Sequence, residues 1–187
     1  MNTGQTMLVL GAFALLSVVT LGINGTIFST SSLGLQMEAN LNALSVGQGL
    51  LDEIMIRDFD ENVTNNNRVF SYSGMTSLAH LGPDGASEQI SGLDSSRTGT
   101  FQSRSKFDDV DDYNNYTRWA YDTRLGWFVL KAVVVYVNEL NPDSLAATQT
   151  WQKRITVTIT NYSMPQDING NTLTYTLKDV AVYRKYF

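Results

Sequence analysis

The hydrophobic pattern begins with a run and then turns periodic. Met7 to Phe28 reads MLVLGAFALLSVVTLGINGTIF without an ionisable side chain, and the first such side chain anywhere is Glu38. At 1.5 Å per residue this segment extends roughly 33 Å, enough to cross a bilayer. Beyond it, Leu33, Met37, Leu41, Leu44, Leu51 and Met55 recur at mostly three- and four-residue spacing, with Gln48 filling one position of the stripe. Gln36, Asn40, Asn42, Ser45, Asp52 and Glu53 take the other side, which is the pattern of an amphipathic helix whose stripe packs on a sheet. No proline precedes Pro83, so one helix is predicted from about Thr3 to Phe59, loosened near Gly22–Gly25. Gly47 and Gly49 form a second weak spot, each interior glycine costing up to about 1 kcal/mol relative to alanine.

From Asp60 to about Leu125 the texture is that of turns: ENVTNNNR, GPDGASE and SGLDSSRTGT. A long connection with two short strands is expected there, RVFSYSGM being one strand candidate. From Gly126 the pattern alternates. WFVLKAVVVYVNEL is apolar at both parities, Lys131 excepted, and predicts a central strand covered on both faces. WQKRITVTITNY sets Ile155, Val157 and Ile159 against Thr156, Thr158 and Thr160, a half-exposed strand. NTLTYTLKDVAVYRKYF starts with Leu173, Tyr175 and Leu177 in phase, then shifts to Val180 and Val182, which predicts a bulge near Asp179. LNPDSLAATQT and SMPQDINGN read as hairpin linkers. The expected class is α+β: a long N-terminal helix packed on a C-terminal antiparallel sheet of three to four strands. The expected organisation is 1–28 as a membrane or filament-core segment, 29–59 amphipathic, 60–125 loops and 126–187 sheet.

Composition narrows the function. A net charge of −5 speaks against nucleic acid as the primary partner. Absence of cysteine excludes disulfides, iron–sulfur clusters and thiol nucleophiles, and the single histidine, His80, excludes most His-based zinc and triad sites. DSSR and SRSK form no nucleophile elbow, so no enzyme is expected. Four readings of the apolar segment compete. A buried core helix would be shorter and carry a polar stripe. A cleavable signal would need a basic n-region and a small-residue site, whereas no Lys or Arg precedes Arg57. A plain membrane anchor fits the length but lacks the basic flank that sets orientation. The fourth reading is a segment that enters a polymer.

A greasy helix running into an amphipathic half, then loops, then an antiparallel sheet resembles the type IV pilin and pseudopilin superfamily. The resemblance is one of architecture over the whole chain. Members commonly carry a glutamate at the fifth mature position; Gln5 stands there if Met1 is first, and Val9 if cleavage follows Gly4. A disulfide-bounded C-terminal loop is absent too. The resemblance implies a structural subunit of an extracellular filament, held in the membrane before assembly and handled by pilus assembly machinery, with other copies of itself as partner. It implies assembly through Gln5, Met7, Leu8, Leu10, Phe13, Leu15, Leu16, Val18, Val19, Leu21, Ile23, Ile27 and Phe28. The alternative is a single-pass membrane-anchored extracytoplasmic β-rich binding module.

Other features have a plain structural reading beside a chemical one. Asp108, Asp109, Asp111 and Asp112 in FDDVDDYNNY are candidate calcium ligands, against a solvated acidic turn; no other cofactor is expected. Asn62, Asn115 and Asn161, like Asn24, sit in N-x-[ST] glycosylation patterns. Trp119, Tyr121, Trp127, Phe128, Tyr136, Trp151, Tyr175, Tyr183 and Tyr186 suggest carbohydrate stacking on one reading and core or subunit packing on the other.

Overall fold

The computed structural model describes residues 2–184, the side chain of Asn65 excepted. Tyr186 and the end of the last predicted strand lie outside them. The chain divides into two compact units, Met1–Glu38 and Ala39–Phe187. The boundary therefore falls within the long helix, not at its end.

Helix α1 spans Thr3–Met55 without interruption. It does not loosen at Gly22–Gly25, where Thr26 Oγ1 and Ser29 Oγ donate to the carbonyls of Gly22 and Gly25. It ends before the expected Phe59 because the chain turns to pair in extended form. Asp58 N–H donates to Asp108 C=O, and Val110 N–H donates to Asp58 C=O.

In the second unit six strands form a mixed sheet: β1 Asp94–Ser96, β2 Thr117–Asp122, β3 Gly126–Asn138, β4 Asn141–Leu145, β5 Gln152–Thr160 and β6 Tyr175–Val182. The order is β1-β2-β3-β5-β6, with β4 on the far end of β3. All pairs are antiparallel except β1 with β2. β3 is central, as its apolar run predicts. Gly126, at φ +78°, opens it after a turn in which Asp122 accepts from the N–H groups of Arg124 and Leu125.

Phe128, Leu130, Ala132, Val134 and Tyr136 of β3 and Ile155, Val157 and Ile159 of β5 are buried on one face. The Ala39–Met55 stretch of α1 covers that face together with Phe59, Val63, Phe107, Val110 and Tyr113 from the loops. The packing stripe differs from the expected one. Leu51 is buried, but Leu41, Leu44 and Met55 are exposed, as are Leu33 and Met37 in the first unit. Ala39, Ala43, Gly47, Leu50 and Ile54 face the sheet instead. The reason is distance. A Cβ on Gly47 would stand 2.6 Å from Ile159 Cδ1 and 3.1 Å from Leu177 Cδ1, so at that turn the helix backbone lies too close for a side chain, and the large Leu50, Leu51 and Ile54 face the sheet only beyond it.

Three local expectations are corrected. RVFSYSGM contains no strand; Tyr72–Gly74 is a 3₁₀ turn. The β5–β6 register runs unbroken from Gln152↔Val182 to Ile159↔Tyr175, so no bulge lies at Asp179. Asp179 takes the inward parity near the sheet's edge, where it stays exposed, and the irregularity sits at Val137/Asn138. NPDSL, read as linker, is β4.

Candidate functional site

Two arrangements stand out, one in each unit. In the first, Met7, Leu8, Leu10, Phe13, Leu15, Leu16, Val18, Val19, Leu21, Ile23, Ile27 and Phe28 are all exposed, as is Gln5. None of this stretch is buried inside the chain, and the helix is long and apolar enough to cross a membrane. Its hydroxyls turn inward to the helix backbone: Ser17 Oγ donates to Phe13 C=O at 2.8 Å, Thr20 Oγ1 to Leu16 C=O at 2.8 Å and Thr26 Oγ1 to Gly22 C=O at 3.0 Å. The i−4 bond is what lets such residues sit in a helix without water.

In the second unit the sheet's covered face holds two buried charged clusters. Glu53, on α1, accepts from Arg118 Nη2 at 2.7 Å, Tyr113 Oη at 2.9 Å, Ser103 Oγ at 3.1 Å and Arg104 Nε at 3.0 Å. Burial opposes its charge, but Arg118 first and then Arg104 and Tyr113 outweigh it and hold the carboxyl below its ordinary value.

Lys153 is the centre of the other cluster. It shares the inward parity of Ile155, Val157 and Ile159 and is wholly buried. Its Nζ donates to Asp111 Oδ1 at 2.5 Å, Asp60 Oδ2 at 2.8 Å and Phe59 C=O at 2.8 Å. Asp60 accepts in addition from Thr76 N–H, Thr76 Oγ1, Asn62 N–H and Tyr136 Oη. Those donors and Lys153 overcome burial and keep Asp60 below the usual carboxylate range.

The four candidate calcium ligands are not gathered into one cage, and the turn is not solvated. Asp109, Asp111 and Asp112 are buried. Asp111 is committed to Lys153, and Asp112 Oδ2 accepts from the N–H groups of Asp108 and Asp109. Asp108 lies apart with Glu61 and Glu88, the three offering oxygens within 4.8 Å of one another. An open trio of like charges is not by itself a site.

Asn161 is buried and donates to the carbonyls of Leu125 and Trp127, which removes it as a glycosylation acceptor. Asn62 and Asn115 are exposed, Asn115 in the left-handed region at φ 60°. Phe128, Tyr136 and Trp151 are core residues, and Tyr175 and Tyr183 are half-buried against that core. Trp119, Tyr121 and Trp127 are half-buried on the sheet's other face, with the Arg97 guanidinium 4.4 Å from the Tyr121 ring centre. A cleft of about 490 Å³ beside them is lined by Trp119, Trp127, Val129 and Tyr162. His80 is exposed and bonded to Ser77 Oγ.

Sequence reasoning misses Lys153 and Glu53 as functional candidates. For Lys153 the signal is present: two residues before Ile155 on an alternating strand, it must point inward. For Glu53 it is not, because its burial follows from the helix face that Gly47 selects. No protein-family model, curated protein or solved structure matches this chain.

Proposed function

We propose that this chain is the structural, non-enzymatic subunit of an extracellular pilus-like filament, built by packing the Met7–Phe28 segments of successive copies in the filament core. The observation that carries the reading is the uncharged Met7–Phe28 segment of α1, whose large side chains are all exposed and whose Ser and Thr hydroxyls are satisfied within it. Such a segment loses no hydrogen bonds on leaving water. Each large apolar side chain covered by a neighbour contributes roughly 1.5–3 kcal/mol. Before assembly the same surface lies in the membrane, from which the pilus assembly machinery draws it. Leu33, Leu35, Met37, Leu41, Leu44 and Met55 extend the exposed apolar surface along α1, and neighbouring copies cover them as well. A repeated contact that does not close on itself produces a helical filament.

The cleft beside Trp119 and Trp127 favours a second reading, a membrane-anchored extracytoplasmic binding module. Electron microscopy and mass spectrometry of material sheared from cells that express the chain separate the two. Thin uniform filaments made mainly of this protein are the expected result. Recovery solely from detergent-soluble membranes, without filaments, rejects the filament and favours the anchored module.

A further inference from the structure

Lys153 and Asp111 are an amine and a carboxyl in direct contact inside the second unit. The amine and the carboxyl are both inaccessible to water, and Nζ stands 2.5 Å from Asp111 Oδ1. The rings of Phe59 and Tyr136 lie over Nζ, with their centres at 4.6 and 5.1 Å. Of the two carboxylates on the lysine, Asp60 is the stable anion, since five further donors reach it: Thr76 N–H and Oγ1, Asn62 N–H and Nδ2, and Tyr136 Oη. Asp111 is left wanting. Its Oδ2 is buried and meets no N–H or hydroxyl donor. The group able to satisfy it is the carboxyl of Asp109, which donates a proton toward Asp111 when it carries one. Burial, and then the charge of Asp111, push Asp109 up to about 10, so it keeps that proton at neutral pH. Asp109 is itself held in place by Asp112 N–H on its Oδ1 at 3.0 Å.

We propose that Lys153 and Asp111 join in an intramolecular isopeptide bond, Nζ to Cγ, with Asp109 as the proton-carrying catalytic residue. Within the buried pair one proton passes from the ammonium to the Asp111 carboxylate, leaving an amine beside a carboxylic acid. The Nζ lone pair attacks Cγ. Asp109 gives its proton to the departing hydroxyl and recovers one from the nitrogen. An ammonium and a carboxylate become an amide and one water, with no oxidant or activating group consumed. The product keeps one N–H to donate to Asp60 or Phe59 C=O. It also leaves the cluster's negative charge on Asp60, the carboxylate with the most donors. The bond ties the loop carrying Asp111 to strand β5, a covalent brace in a chain that has no cysteine. Its formation is independent of whether the chain builds a filament.

The test is a tryptic peptide map of the denatured full-length protein. The expected product is peptide 107–118 joined to peptide 132–154, lighter than their sum by one water and uncleaved after Lys153. Lys153→Arg, which keeps a cation but offers no such amine, should abolish it. Asp109→Asn, which keeps the acceptor for Asp112 N–H but holds no acid proton, should diminish it severely. Free peptides 107–118 and 132–153 from the wild-type protein overturn the bond, whatever the variants do. A product joined to peptide 58–68 overturns Asp111 as electrophile in favour of Asp60. Undiminished joining in Asp109→Asn overturns the role given to Asp109.

Discussion

At the scale of single residues, buried charge decides what the second unit tolerates. Arg118 and Glu53 are both buried, with exposures of 4% and 5% for their side chains. Glu53→Ala strands a guanidinium and removes the acceptor of Tyr113 and Ser103. It is expected to cost about 3–5 kcal/mol in chemical denaturation, as for one partner removed from a buried pair. Arg104→Ala acts on the same carboxylate from a half-exposed position, and its effect should be far smaller. Asp112 gives a pH dependence of opposite sense to that of Glu53. Burial raises it from 3.8 to about 7, so through that window the unfolded chain has released a proton that the folded chain keeps. The stability is full below the ordinary value and falls as pH rises through the raised one. Glu53 and Asp60, both lowered, forfeit stability only below the ordinary carboxylate range. Thermal midpoints should therefore fall as pH rises from about 5 to about 7, and Asp112→Asn should lessen that slope while leaving the part that Asp109, raised to about 10, supplies in the same sense.

At the scale of the element, α1 is one helix with two different requirements. From Ala39 onward its packing face is set by closeness, and Gly47 marks the nearest approach. Gly47→Ile drives a branched side chain into Ile159 and Leu177 and should destabilise the unit by about 1–3 kcal/mol, read as a lower denaturation midpoint. Gly49, two residues on, has open space where a methyl would stand, with nothing within 4 Å. Gly49→Ala should stabilise by roughly 0.5–1 kcal/mol through helix propensity alone. The pair of substitutions separates the helix's intrinsic cost from its fit to the sheet. The exposed Leu41 and Leu44 are the counterpart of that closeness: near Gly47 a larger side chain cannot face the sheet, so they face outward, whereas Leu50 and Ile54, past the nearest approach, pack on it.

At the scale of the whole molecule, the apolar half of α1 makes the chain's environment part of its structure. An aspartate at the centre of a membrane helix costs about 2.5–3.5 kcal/mol on the insertion scale. On the proposed filament reading, Leu16→Asp should weaken recovery in the membrane fraction and abolish assembly, seen by fractionation and negative-stain microscopy. Its side chain belongs to the first unit and is exposed there, so the second unit should keep its unfolding midpoint. Loss of assembly with an intact second unit separates a surface effect from a folding one.

The sequence by itself determined what depends on local period and composition. An uncharged run of apolar residues is long enough for a membrane wherever the rest of the chain goes. Strict alternation at Ile155, Val157 and Ile159 fixes the inward face of β5, and the run of β3, apolar at both parities except for Lys131, fixes it at the sheet's centre. Tertiary structure decided what depends on how close two elements come. The Ala39–Gly47 face of α1 carries less apolar area than the Leu41–Leu44 face, so hydrophobicity pointed to the wrong stripe and steric fit chose the other. The aspartates of FDDVDDYNNY read as solvated because the residues that bury and pair them, Lys153 on β5 and Phe59 after α1, lie far away in sequence. Local pattern reports which side chains seek cover; only the packed chain reports which backbone is near enough to give it.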